Sequence, residues 1–258
     1  MDLQLKGKTA IVTGGSAGIG LAITKALAAE GVTVTVPGRS KEKLDKALAG
    51  ISNVKAIVAD PGTAEGAAAL IQQVPDTDIL VNNLGIYEPK PFAEITDADW
   101  LNIFEVNVLS GVRLSRHYFP RMLERNWGRV IFISSESGIM TPPEMIHYGV
   151  TKSSQLAISR GLAELTKGTA VTVNTIMPGP TRSEGIVDFL KNISSEKNPT
   201  PEQAEKEFFE KHRSSSLLQR LIESEEIASL VAFIASPLSA ATNGAALRAE
   251  GGLLRSIA

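Results

Sequence analysis

The stretch "TAIVTGGSAGIGLAITKALAA", residues 9–29, constrains this chain more than any other. A short run of β-forming residues passes through a glycine cluster into a segment with the length and pattern of an amphipathic helix. Gly14, Gly18 and Gly20 stand at that junction with the spacing G-x-x-x-G-x-G. Glycines let the backbone turn tightly and approach a bound group, and the new helix presents free N–H groups and the positive end of its dipole. Strand, glycine turn and helix in this order suit a dinucleotide pyrophosphate, so Gly14, Ser16, Gly18, Ile19 and Gly20 are the expected cradle.

The same alternation continues along the chain. Strand candidates are residues 9–13, 32–36, 54–58, 78–82, 129–134, 171–176 and 245–250, several of them continuous apolar runs suited to strands covered on both faces. Amphipathic segments lie between them at about 18–30, 40–49, 63–74, 97–124, 147–167 and 223–235, the fourth opening at Thr96 with Asp99 in the capping-box position. This order predicts an α/β chain with a doubly wound, Rossmann-type sheet of seven parallel strands and helices on both faces. No Pro-, Gly- or Ser-rich linker divides it and no internal repeat is present, so residues 1–258 are read as one domain. Residues 183–216 break the rhythm with a polar excursion and one short helix expected at 201–212. So long an interruption of a compact domain reads as a lid over the site.

Composition removes several classes of function. A net charge of -2 without a basic run gives no footprint for nucleic acid. There is no cysteine, hence no thiolate nucleophile or disulfide, and the three histidines, His117, His147 and His212, lack the spacing of a zinc site. The amino terminus carries only a strand-length apolar run, neither signal peptide nor membrane span, so a cytoplasmic protein is expected.

Chemistry enters with "HYGVTKSSQ", residues 147–155. Tyr148 and Lys152 are four apart on an expected helix and so share a face. An ammonium beside a phenol favours the phenolate, which predicts a lowered Tyr148 pKa and an acid/base pair. Upstream, Asn107 sits among apolar residues in "FEVNVLSG", where an amide is costly unless hydrogen-bonded.

Taken together, Gly14, Gly18, Gly20, Asn107, Tyr148 and Lys152 resemble the short-chain dehydrogenase/reductase family. Ser135, thirteen residues before Tyr148, occupies the family's serine position in preference to Ser134. "NNLG" at 82–85 resembles the family's Asn-Asn-Ala-Gly with Leu84 as a departure, "MPGPT" at 177–181 matches an element that closes over the nicotinamide, and "EGGL" at 250–253 stands for Asp-Gly-Gly. The resemblance implies Asn107, Ser135, Tyr148 and Lys152 as catalytic residues. Tyr148 would pass the proton, Ser135 bond the reacting oxygen, and Lys152 hold the nicotinamide ribose and reach a relay through an Asn107-bound water. It also implies Asp60 against the adenine, Asn82 as a sheet residue, and Asn83, Leu84, Gly85, Pro178, Gly179 and Thr181 bordering the cofactor.

About twenty residues beyond Gly20 the second strand leads to Arg39 and Ser40, where NAD users place a carboxylate for the ribose hydroxyls. A guanidinium pairs with a 2′-phosphate, so NADP(H) is preferred. NAD(H) stays open, because Ala17 fills the loop position where family members using NADP often carry a second basic residue. The expected activity is NADPH-dependent reduction of a carbonyl, of 3-oxoacyl type, or the reverse alcohol oxidation; the alternative is a catalytically silent sensor or scaffold. Ile86, Tyr87, Pro89, Ile139, Met140, Pro142, Met145, Ile186 and Phe189 are pocket candidates and favour a small-molecule carbonyl or alcohol bearing an apolar group. Glu136 and His147 are expected to point away from the crevice. By the same resemblance the chain forms a homo-oligomer, tetramer or dimer, through the helices of Asn107 and Tyr148.

Overall fold

A computed structural model of the chain describes residues 1–257, the side chains at 184, 188 and 192 excepted. Seven strands form one parallel sheet: β1 (Thr9–Val12), β2 (Thr33–Gly38), β3 (Val54–Val58), β4 (Ile79–Asn82), β5 (Gly128–Ile133), β6 (Val171–Pro178) and β7 (Ala246–Ala249), in the order β3-β2-β1-β4-β5-β6-β7. Winding starts at β1, runs outward to β3, then returns to β4 on the other side of β1. The reversal opens a crevice beyond the carboxyl ends of β1 and β4, where sheets of this kind bind ligands.

Side-chain alternation divides the core into two layers. Ala10 and Val12 of β1, with Ile131 and Ile133 of β5, face α1 (Gly18–Ala29) and α9 (Ser224–Ala235). Ile11, Val130 and Phe132 face the opposite way, against Leu70 of α3 (Ala64–Gln73), Leu114, Tyr118 and Met122 of α5 (Ser110–Glu124), and Ala163 of α6 (Ile146–Glu164). The edge helix α2 (Lys41–Leu48) buries Leu44 and Leu48 beside β2.

Two expectations are corrected. The segment read as one helix from 97 to 124 is α4 (Asp97–Phe104), a π-helical stretch Glu105–Leu109, and α5. The Asn107 carbonyl in that stretch accepts a hydrogen bond from Gln155 Nε2 at 2.6 Å, so a side chain takes up part of the helix's own ladder. The polar excursion holds two helices, not one: α7 (Glu184–Ile193) and α8 (Pro201–Lys211). Ile186, Phe189, Leu190 and Ile193 recur at helical spacing along α7 and pack with Ala204, Phe208 and Phe209 of α8 and with Leu221 into a third, separate apolar cluster. Arg182 pairs with Glu205 and Glu223, each at 2.9 Å, and ties this subassembly to the end of β6 and the start of α9. No helix among the described residues is long and apolar enough to cross a membrane.

Candidate active site

The loops after β1, β4, β5 and β6 all leave the same edge of the sheet and enclose a cavity of about 810 Å³. Its floor is the glycine turn: Gly14, Ser16, Gly18, Ile19 and Gly20 line it. Gly14 and Gly18 have φ of 65° and 48°, a region that side-chain-bearing residues rarely adopt. A Cβ on Gly20 would lie 2.2 Å from the Gly14 carbonyl oxygen, so this turn tolerates only glycine. At the mouth of α1 the N-cap, Ala17, offers no side-chain acceptor, and the first turn has no acid. In contrast Ser40, Thr63, Thr96, Ser183 and Thr200 cap α2, α3, α4, α7 and α8. The dipole of α1 is thus left facing the cavity for an anion, and the cradle fits a pyrophosphate.

Asn83 fixes the second wall. Its Nδ2 donates to the Thr13 carbonyl at 2.9 Å, and the Thr13 hydroxyl accepts from the Asn83 and Leu84 N–H groups at 3.0 Å each. These bonds stitch the β1 turn to the β4 loop, and Asn83, Leu84 and Gly85 border the cavity. Asn82 stays in the sheet, donating to Ser115 Oγ at 3.2 Å. Pro178, Gly179 and Thr181 line the far side. Arg39, Ser40 and Asp60 lie outside the cavity walls: Arg39 is exposed, Ser40 accepts from the Lys43 N–H as the α2 cap, and Asp60 Oδ1 accepts from the Gly62 N–H at 3.0 Å.

Ser135 and Tyr148 meet in the cavity. Just past the end of β5, the Ser134 hydroxyl is taken up by the Lys152 carbonyl at 2.9 Å, and Ser135, in extended backbone, borders the cavity with its own hydroxyl beside Glu136. Tyr148 is half-buried and packs edge-on against Tyr87 at 6.3 Å between centroids. Burial first, then Glu136 whenever it is ionised, push its pKa well above the usual phenol range, while the Ser135 hydroxyl acts in the opposite direction. This corrects the expectation that Lys152 lowers it. The ammonium lies 5.5 Å from the Tyr148 ring centroid, donating instead to the Ile133 carbonyl at 2.9 Å and to Gln155 Oε1 at 3.3 Å. Burial holds the Lys152 pKa down to about 8, with Glu136 pulling it upward.

Asn107 and Lys152 sit behind this wall, around Gly85: a Cβ there would lie 3.5 Å from Asn107 Oδ1 and 3.6 Å from Lys152 Nζ. Both N–H groups of the Asn107 amide are used, donating to the Ile86 carbonyl at 2.9 Å and Thr151 Oγ1 at 3.0 Å, and its Oδ1 accepts from the Ile86 N–H at 2.7 Å. Gln155, missed in the sequence, joins Lys152 Nζ to the Asn107 main-chain oxygen. Its signal was its place three residues beyond Lys152 on the same helix.

The remaining wall differs from its expectation. Tyr87, Met145, Ile186 and Phe189 line the cavity, but Ile86, Pro89, Ile139, Met140 and Pro142 do not. The segment 183–216 adds Phe208 and Arg213 to the wall. His147 does point away, packed on Trp100 at 5.9 Å. Glu136 does not: buried and lining the cavity, it accepts the Ser135 hydroxyl proton in a short hydrogen bond.

The sequence profile described as short chain dehydrogenase matches residues 8–193. The chain belongs to the short-chain dehydrogenase family, and it is an oxidoreductase. It is 51% identical to an uncharacterised oxidoreductase, YvaG, of Bacillus subtilis (strain 168), over 100% of both chains. A 3-oxoacyl-[acyl-carrier-protein] reductase, FabG, of Aquifex aeolicus (strain VF5) is 28% identical over 98% of this chain and 100% of its own. L-sorbose reductase of Gluconobacter frateurii, solved with NADPH and L-sorbose, superposes with a TM-score of 0.93 at 27% identity over 100% of both chains. In this short-chain dehydrogenase, the profile stops at the end of α7, and α8 lies beyond it.

Proposed function

We propose that the chain is an NADPH-dependent carbonyl reductase acting on a small molecule with both an apolar part and a hydrogen-bonding substituent. The observation that carries this reading is the convergence of Ser135 and Tyr148 on one cavity with an uncapped helix end and its glycine turn. Gly14, Ser16, Gly18, Ile19 and Gly20 would hold the pyrophosphate, Asn83, Leu84 and Gly85 with Pro178, Gly179 and Thr181 would flank the nicotinamide half, and Asp60 would stand toward the adenine. Arg39, exposed beyond β2 with Ser40, is free to meet a 2′-phosphate.

When bound, the reduced nicotinamide supplies a hydride to the carbonyl carbon. Tyr148, kept as a neutral phenol by burial, gives its proton to the oxygen on which charge develops. Ser135 donates a hydrogen bond to the same oxygen. Lys152, positioned by Gln155 and by the Asn107 tie to the β4 loop, would place a positive charge behind the phenol and hold the nicotinamide ribose. The lid, residues 183–216, contributes Ile186, Phe189, Phe208 and Arg213 to the wall and excludes water. The relatives support a carbonyl substrate, since one is named a 3-oxoacyl reductase and another was solved with a ketose.

The test titrates purified protein with NADPH and NADH, then follows oxidation of the tighter one across ketoses, diketones, aldehydes and 3-oxoacyl thioesters. The expected result is tighter NADPH binding and carbonyl-dependent oxidation. Binding without reduction of any carbonyl would sink the reading.

A further inference from the structure

Glu136 is the feature of the cavity that the proposed chemistry does not use. It opens a 3-10 turn immediately after Ser135, is 5% exposed, and lies in the wall beside the reacting groups. A carboxylate there is costly twice over, since burial disfavours its charge and the proposed reaction builds negative charge on an oxygen nearby.

The hydrogen bonds of Ser135 show what the carboxyl does. A serine hydroxyl has one hydrogen and two lone pairs. Oγ of Ser135 accepts the Ser137 N–H at 3.1 Å and gives its hydrogen to Glu136 Oε2. In that state the hydrogen meant for a substrate oxygen is already taken. If Glu136 is instead a neutral acid, its O–H donates to the second lone pair of Oγ, and the serine hydrogen turns outward.

We propose that Glu136 is a positioning residue that sets the direction of the Ser135 hydroxyl: as the neutral acid it orients the serine to donate to the substrate oxygen, and as the carboxylate it holds the serine back. This deepens the reductase reading and rests on it. The surroundings support the neutral form. Burial pushes the Glu136 carboxyl above the usual carboxylate range, while the Ser135 bond and the Arg213 charge draw it down. The charged or titratable groups around it among the described residues are Arg213 from the lid, itself 3.6 Å from Glu144, and Tyr148 and Lys152 from α6. Because Arg213 belongs to the lid, the position of the lid acts on the same switch.

The experiment compares kcat for carbonyl reduction against pH in wild-type protein and Glu136→Gln. A glutamine donates to Oγ through its amide and does not titrate. The wild type is expected to fall through two ionisations as pH rises, those of Glu136 and Lys152, and the variant through one. Each pH unit above the Glu136 pKa then separates the two by about tenfold, with NADPH affinity unchanged. Parallel pH profiles, or a variant inactive at every pH, would overturn the proposal. Separately, carbon-13 carboxyl spectra of glutamate-labelled wild type, assigned by difference from the variant, should show Glu136 titrating above the ordinary glutamate range; ordinary titration also overturns it. A wild type that binds NADPH and reduces nothing defeats the reductase reading instead, and the spectra still decide the state of Glu136.

Discussion

At the scale of single residues, the proposed chemistry rests on a phenol that stays protonated and an amine that does not hold its proton firmly. Replacement of Tyr148 by phenylalanine removes the proton donor without changing the buried shape, and should lower kcat by roughly 10²- to 10⁴-fold. Ser135→Ala removes one donor to the developing charge and should cost on the order of 10²-fold. With the Lys152 pKa at about 8, the ammonium predominates below that pH and is lost as pH rises through it, so reduction should weaken above about pH 8 in a steady-state profile. Arg39→Ala should weaken NADPH binding by about 10- to 100-fold and leave NADH unchanged in a fluorescence titration, since only the charge-assisted bonds to a 2′-phosphate are removed. Ser135, Tyr148 and Asn107 were legible in the sequence because spacing along the chain carries them. The direction of Glu136 was not: β5 ends at Ile133, and the 3-10 turn that follows no longer obeys strand alternation. The effect of Lys152 on Tyr148 was misread for a related reason. Helical spacing puts the two on one face, but the long lysine side chain reaches past the ring to Ile133 and Gln155.

At the scale of elements, the strands and crossover helices were legible because apolar period and strand-helix alternation fix them. Two elements were not. The π-helical stretch depends on a side chain from α6, which no local pattern in residues 97–124 announces. α7 depends on packing against α8, a partner that a reading of one polar segment at a time does not supply. The glycine turn is the element with least latitude. Gly20→Ala would drive a Cβ against the Gly14 carbonyl and Asn83 Nδ2, so denaturant unfolding should show a loss of about 1–3 kcal/mol, with NADPH affinity reduced alongside.

At the scale of the whole molecule, the sheet order gathers loops from β1, β4, β5 and β6 at one edge, and that convergence, not any single loop, makes the cavity. Leu101 and Phe104 at the end of α4, next to the stretch of Asn107, and Val150 on α6 are exposed apolar residues on the side of the chain where a homo-oligomer contact is expected. The central claim is hydride transfer to a carbonyl with Tyr148 as proton donor. Its most direct test supplies NADPH deuterated on its transferring face, with a carbonyl reduced by the wild type, to wild-type and Tyr148→Phe proteins, each saturated with cofactor. The account predicts one deuterium on the former carbonyl carbon in the wild-type product, and a Tyr148→Phe protein that binds cofactor normally yet turns over at least about 10²-fold more slowly. Product without deuterium from either face of the cofactor, or a phenylalanine variant as fast as the wild type, would contradict it.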